Sequence, residues 1–245
     1  MRSPLYFISD VHLKLSSSDK EMARRKKLYS LLEHISETGG TVFFMGDLFD
    51  FYYEYPDVIP KSYYQLYTQI SSLKEKGIDI HFLVGNHDYW VMDFITDELM
   101  SHTHLGDFNF EMNGKKFYLT HGDGILSWDY GYRFLKKMIR HPFFIWLFRW
   151  IHPTLGYKIG RFVSKSGSEY DMNQSTTEKV RNELIRYAET KSENGFDFIL
   201  LGHYHLGEMI DLNQGKLALL GDWFKTPRYA VFDGEILKMK TWESS

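Results

Sequence analysis

The sequence predicts an α/β fold in which βαβ units feed a sheet lying between helices. Three observations predict it: six short apolar runs that each close on Gly, Asp, Asn or His, amphipathic segments of helical period between them, and Asn-Gly and Asp-Gly dipeptides between later strand-like runs.

The first three runs are Leu5-Tyr6-Phe7-Ile8 before Ser9-Asp10, residues 42–45 before Gly46-Asp47, and residues 80–84 before Gly85-Asn86. Helical periodicity over roughly 20–37 and 60–76 separates them, which suits parallel strands joined by crossover helices. Three later runs follow the same plan: 116–119 before Thr120-His121-Gly122, 198–201 before Gly202-His203, and 217–220 before Gly221-Asp222, with a helical segment over about 173–191. Asn113-Gly114 and Asp233-Gly234 read as hairpin turns, so the later sheet is expected to be mixed or antiparallel. In open α/β sheets ligands bind beyond the carboxyl ends of the strands, and the polar residues gather there.

A chain of 245 residues suits one domain with an insertion, and 43% hydrophobic against 25% charged residues is an ordinary soluble balance. No apolar run is long enough to span a bilayer. Met1-Arg2-Ser3-Pro4 leads straight into a strand-like run, so no cleavable signal peptide is expected. The chain has no cysteine, which excludes disulfides, thiolate metal sites and a Cys nucleophile. Any metal must be held by nitrogen and oxygen.

The chemistry lies in Asp10-x-His12, Gly46-Asp47-x-x-Asp50, Gly85-Asn86-His87-Asp88, His121-Gly122-Asp123 and Gly202-His203-x-His205. Asp10 and His12 are two apart, and on an extended chain they point to one side, as two ligands of one ion would; His203 and His205 repeat the spacing. Carboxylate, amide oxygen and imidazole suit Mn²⁺, Fe or Zn²⁺, whereas Ca²⁺ takes more oxygens. The glycines before Asp47, Asn86 and His203 are expected to let the chain approach the metals closely. Asp50 and Asp88 are read as carboxylates that fix the second N–H of ligand imidazoles. His34, His81, His102, His104, His141 and His152 read as surface or packing residues.

These pieces, in this order, resemble the calcineurin-like metallophosphoesterases, with the pattern D-x-H, GD-x-x-D, GNH-D, H and GH-x-H complete. The resemblance implies a four-layer α/β/β/α sandwich forming one domain over residues 1–245. It implies Asp10, His12, Asp47 and His205 on one metal, Asp47, Asn86, His121 and His203 on the other, and a hydroxide between the ions as nucleophile. His87, with Asp88 beside it, forms the catalytic pair, His87 stabilising phosphoryl charge or protonating the leaving oxygen.

Between Asp129 and Glu169 there is no acid, yet Arg133, Lys136, Lys137, Arg140, Arg149, Lys158, Arg161 and Lys165 all fall there, around the apolar block Phe143, Phe144, Ile145, Trp146, Leu147, Phe148, Trp150 and Ile151. This insertion, about 130–170, is expected to be a helical cap suited to a headgroup interface or an acyl-chain groove. Basic and aromatic residues together also suit single-stranded nucleic acid, but the uncharged run 143–148 favours acyl chains, and no nucleic-acid partner is expected. With the insertion the chain resembles the UDP-2,3-diacylglucosamine hydrolases of Gram-negative lipid A synthesis. Further supporting details are His121-Gly122-Asp123 followed by Asp129, a helical Met172-Asn173-Gln174 stretch and Leu220-Gly221-Asp222-Trp223; the best-known members have Arg where this chain has His87. The resemblance implies cleavage of an acylated UDP-sugar to UMP and the sugar 1-phosphate, two divalent ions with Mn²⁺ favoured over Fe or Zn²⁺, and peripheral attachment to the anionic cytoplasmic face of the inner membrane, with no obligate protein partner. Asn86, His87, Asp129 and His203 are its candidate substrate contacts. A soluble phosphodiesterase and a non-catalytic scaffold are the alternatives.

Overall fold

The structure is a computed structural model that describes residues 1–167 and 174–243. One sheet contains β1 (Leu5–Ile8), β2 (Thr41–Met45), β3 (Asp79–Leu83), β4 (His102–His104), β10 (Arg228–Phe232) and β11 (Leu237–Thr241), in the order β11-β10-β1-β2-β3-β4. β1 to β4 run parallel, and β10 and β11 add an antiparallel hairpin at one edge. The second sheet contains β5 (Phe108–Met112), β6 (Lys115–Thr120), β7 (Phe198–Leu201), β8 (Leu206–Leu212) and β9 (Gly215–Gly221), in the order β5-β6-β7-β9-β8. Its central strands β6, β7 and β9 are parallel and both edges are antiparallel. All six apolar runs are strands, and Asn113-Gly114 and Asp233-Gly234 turn the hairpins β5–β6 and β10–β11.

The runs are continuously apolar because each central strand is buried on both faces. Leu5, Phe7, Phe43, Met45 and Leu83 of the first sheet meet Phe117, Leu119, Phe198, Leu200, Ala218 and Leu220 of the second in the inner core. The alternate residues Tyr6, Ile8, Val42, Phe44, Ile80 and Phe82 face outward under α1 (Asp19–Thr38) and α2 (Tyr64–Glu75). Tyr118, Ile199, Leu201, Leu217 and Leu219 face the other way, under Val180, Leu184 and Ala188 of α6 (Gln174–Glu193). Helix, sheet, sheet, helix: the four-layer α/β/β/α arrangement is present.

The first turns of α1 steady the loop after β1. Ser18 caps the helix by accepting from Glu21 N, and Glu21 is paired with Arg24 and Arg25 although all three are buried. Arg24 Nη2 donates to His12 O (2.6 Å) and Arg25 Nη2 to Lys14 O, so these buried cations reach main-chain carbonyls of the site loop.

Between β6 and α6 stand α3 (Tyr130–Ile139), α4 (Pro142–Arg149) and α5 (Pro153–Gly167), helices in the segment that the sequence reading takes as a cap. Met172 and Asn173 lie outside the described residues, and Gln174 opens α6. Among the described residues of α3 and α4 none is buried. The cap is held by points: Tyr53 Oη donates to Ile145 O (2.7 Å), Trp90 Nε1 to Ile139 O (2.9 Å), and Phe148 packs on Tyr53 at 4.6 Å between ring centroids.

Candidate metal centre

The site is built by loops hydrogen-bonded to one another at the carboxyl ends of β1, β2, β3, β6 and β7. Asp10 N donates to Gly46 O and His12 N to Asp47 O (2.9 Å), so the loops after β1 and β2 run side by side. His203 N donates to both carboxylate oxygens of Asp10, and His87 N to Asp47 Oδ1, tying in the loops after β7 and β3.

Asp10, His12, Asp47, His203 and His205 all have φ between +47° and +67°; the other non-glycine residue with positive φ among those described is Asn113, in a hairpin. The left-handed region is costly for side chains with a Cβ, and it clusters where function over-determines the backbone. This is the physical reason that Asp10 and His12 share a side: β1 has already ended at Ile8, and the left-handed turns, not strand alternation, aim both side chains inward. The expected close approach is also seen. A Cβ on Gly85 would lie 2.1 Å from Asp47 Oδ1, and one on Gly202 would lie 2.2 Å from Ser9 Oγ and 2.7 Å from Asp10 Oδ2, so the loops press on the ligand carboxylates and the chain beside them.

Two sets of side chains converge, Asp10, His12 and His205 in one and Asp47, His121 and His203 in the other. In the first, His205 Nε2 is 3.1 Å from Asp10 Oδ1 and 3.3 Å from His12 Nε2. In the second, His121 Nε2 is 3.3 Å from Asp47 Oδ2 and 3.1 Å from Asn86 Oδ1. Asp47 Oδ2 also lies 3.7 Å from His12 Nε2, which puts this carboxylate between the sets. Donor atoms bonded to one ion at 2.0–2.2 Å are separated by about 3.3 Å in tetrahedral geometry, so these spacings fit a cation in each set. Paired imidazole nitrogens aimed at one another add to the fit, since a shared cation satisfies both lone pairs.

Residues 3–207 match the family described as calcineurin-like phosphoesterase. The chain belongs to that family. It is similar to a UDP-2,3-diacylglucosamine hydrolase of Porphyromonas gingivalis, at 32% identity over 99% of both chains. It is also similar to proteins of the same name from Vibrio parahaemolyticus, at 28% identity over 89% of both chains, and Haemophilus influenzae, at 27% identity over 96% of this chain and 94% of that one. This calcineurin-like phosphoesterase is thus a metal-dependent hydrolase, and its Asp and His clusters supply the donors of a dinuclear centre.

The charges within the phosphoesterase site are interdependent. Burial penalises the Asp47 carboxylate, but the facing His121 and His87 outweigh it and hold Asp47 well below the usual carboxylate range. Burial likewise opposes a charge on His121, and Asp47 overrides it, raising His121 to about 10. His203, under burial and the charge of His121, falls to about 4.

One expected role differs. Asp88 contacts no imidazole: it is buried and accepts from the main-chain N–H groups of Gly85 (2.7 Å), Leu48 (2.8 Å), Asp47 and Phe49, so it pins the loops after β2 and β3 together. Burial and the Asp47 charge raise it to about 7. His121 and His87 are fixed by carbonyls instead, His121 Nδ1 donating to Met45 O (3.0 Å) at the end of β2 and His87 Nδ1 to the main-chain oxygen of Asp50 (2.6 Å) in the loop that follows. Asp129 caps α3, its carboxylate accepting from Tyr132 N.

Several participants were given no role from the sequence. Phe224 stacks on His12 at 5.4 Å while Arg24 sits 4.6 Å over its ring. Asp123 accepts from Tyr132 Oη and Arg140 Nη2 and pairs with Lys136, which anchors α3 beside His121. Asp222, in the Leu220-Gly221-Asp222-Trp223 stretch, lies 3.7 Å from His205 Nδ1; its place at a strand end after glycine was the available clue.

Proposed function

We propose that this phosphoesterase cleaves the pyrophosphate of UDP-2,3-diacylglucosamine, giving UMP and 2,3-diacylglucosamine 1-phosphate, in lipid A synthesis. The observation that carries this reading is the similarity to the Porphyromonas gingivalis hydrolase over 99% of both chains, cap included. Asp10, His12, Asp47 and His205 would hold one ion and Asp47, Asn86, His121 and His203 the other, with Asp47 shared; Mn²⁺ is favoured, and Fe or Zn²⁺ suits the same donors. When bound, the ions supply an acidified water and neutralise phosphoryl oxygens during in-line displacement.

His87 is held by its Nδ1 donor bond, so its Nε2 faces the centre, 4.0 Å from Asp47 Oδ2. From there it donates to a phosphoryl or leaving oxygen. Burial lowers its basicity, but Asp47 and the Asp50 carbonyl raise it above the ordinary imidazole value, which favours the protonated form a donor needs. Asn86, His87, Asp129 and His203 are the proposed substrate contacts, Asp129 from its place as the cap of α3.

The cap would take the acyl chains and rest on an anionic membrane. Phe134, Phe143, Trp146, Leu147 and Trp150 are exposed on it, and apolar groups exposed together mark a binding surface. No helix among the described residues is long and apolar enough to cross a membrane, so attachment would be peripheral, at the cytoplasmic face of the inner membrane. The test is turnover of acylated UDP-glucosamine by the metal-loaded enzyme, with UMP identified as product. Faster turnover of lipid-free phosphodiesters, with the acylated substrate left intact, would make a soluble phosphodiesterase the better reading.

A further inference from the structure

At the far end of β3 from the metal centre, a second group of nitrogen and oxygen donors assembles. Asp79 and His81 lie two apart at the start of β3, and His102 and His104 two apart on β4. These are the spacings D-x-H and H-x-H again, the same as in Asp10-x-His12 and His203-x-His205. The parallel register pairs His81 with His102, which brings the four residues to one edge of the six-stranded sheet. Asn86 follows the end of β3, so the two groups are separated by about the length of a five-residue strand, roughly 16 Å.

The geometry is that of donors around a common point. Asp79 Oδ1 is 3.3 Å from His102 Nε2, Asp79 Oδ2 is 3.4 Å from His81 Nε2, and the rings of His81 and His102 are 4.6 Å apart. Charge-assisted N–H···O bonds close to about 2.7–2.9 Å, and both separations are longer. The two separations run to different oxygens of one carboxylate, each close to the edge of about 3.3 Å between donors of a tetrahedral ion, and one donor atom from each of Asp79, His81 and His102 lies within 4.8 Å of the others.

The surroundings preorganise the group. His81 is 3% exposed, and its ring is stacked on Phe43 at 4.5 Å and on His104 at 5.3 Å, while His104 stacks on Phe108 at 3.9 Å. His81 Nδ1 lies 3.0 Å from His104 Nε2; with the proton on Nδ1, His81 donates to His104 and keeps a lone pair at Nε2 on the side of Asp79 and His102. A fixed second nitrogen of this kind is the usual support of a ligating imidazole. The His102 side chain is 56% exposed, leaving room for water at the remaining coordination positions.

We propose that Asp79, His81 and His102 bind one borderline divalent cation of the Zn²⁺ class, apart from the catalytic centre, and that this ion ties the three-residue edge strand β4 to β3. β4 leads directly into Leu105, Gly106 and Asp107, which line a cavity of about 370 Å³ shared with His121 and Asp123, so the tether also steadies one wall beside the centre. The N-terminal ammonium, 3.2 Å from Asp79 Oδ2, is the rival partner for that carboxylate, and it makes no use of His102.

The test equilibrates the full-length chain with Zn²⁺ alone, removes free metal and counts ions per chain for the unaltered protein, His102→Ala and Asp79→Asn. Each variant is expected to hold one ion fewer than the unaltered chain and to hydrolyse bis(p-nitrophenyl) phosphate at an unchanged rate. The rise in Tm on adding Zn²⁺ is expected to shrink in both. Equal ion counts in all three proteins overturn the site, as does a loss in Asp79→Asn with none in His102→Ala, which assigns the carboxylate to the ammonium alone.

Discussion

His87 donates from Nδ1 to the main-chain oxygen of Asp50 at 2.6 Å, and its Nε2 is thereby turned toward Asp47 at 4.0 Å. The ring is oriented by the backbone of the loop that carries Asp47. His87→Ala is therefore expected to lower kcat by about 10²–10⁴-fold, the range for a group acting on the transition state, with metal content unchanged. Metal analysis beside steady-state kinetics checks both halves.

Asp47 stands between the two donor sets, within 3.3 Å of His121 and 3.7 Å of His12. Asp47→Ala is expected to lose activity and metal together, because removing a shared carboxylate weakens both ions. Asp50→Ala keeps the main-chain oxygen that accepts from His87 and removes a carboxylate whose charge raises the His87 basicity, and the expected loss of turnover is at most about 10–100-fold. An Asp47→Ala protein with the full complement of metal would contradict the shared position.

Asp88 accepts four main-chain N–H groups in a buried setting, and each orphaned buried donor costs about 1–3 kcal/mol. Asp88→Ala is expected to reduce the unfolding free energy by several kcal/mol and to weaken metal retention. Asp88→Asn, which keeps one acceptor oxygen, is expected to fall between. Chemical denaturation of the metal-free proteins gives the order.

Phe148 belongs to the apolar block of the cap but turns inward onto Tyr53 and Trp90, whereas Phe143, Trp146 and Trp150 form an exposed row with neighbouring rings 6.0–6.2 Å apart. Replacing Phe143, Trp146 and Trp150 with Ser is expected to weaken binding to anionic vesicles and hydrolysis of the acylated substrate. Hydrolysis of a small activated phosphodiester should be spared. Added salt should weaken vesicle binding by the unaltered protein, since the cations of the cap act through a screened field.

Burial, followed by the neighbouring charge of His102, lowers His104 to about 4. A base with a lowered folded value binds fewer protons than the unfolded chain between pH 6.5 and 4, so its contribution to stability is complete above that window and is lost as pH falls through it. Denaturation midpoints measured without metal at pH 7.5 and pH 5 are expected to drop less for His104→Phe, which keeps the stack on Phe108, than for the unaltered protein.

The strands and ligand loops were legible because each is written locally: a run buried on both faces is apolar throughout, and each ligand follows its strand by a few residues. The edge strands β4 and β8 escaped because one has three residues and the other is half-solvated along its length. Asp88 was misread because its partners are main-chain groups, which leave no mark in the residue types around it. The Asp79, His81, His102 and His104 group was invisible because it exists only once β3 and β4 pair in register, and separately each histidine reads as packing. Glu21, Arg24 and Arg25 likewise look like an exposed helical face until the loop carbonyls of His12 and Lys14 are brought to them.

The helices α3 and α4 add no buried residue to the three cores and are fastened at Asp123, Trp90, Tyr53 and Phe148. The outward side chains of the cap are therefore an interchangeable part: they can be rewritten over successive generations without disturbing the folding of the centre beneath. On the proposed reading of the cap as the lipid-binding element, a chimaera carrying a foreign α4 surface is expected to take its donor's preference among amphiphiles while keeping the host's chemistry.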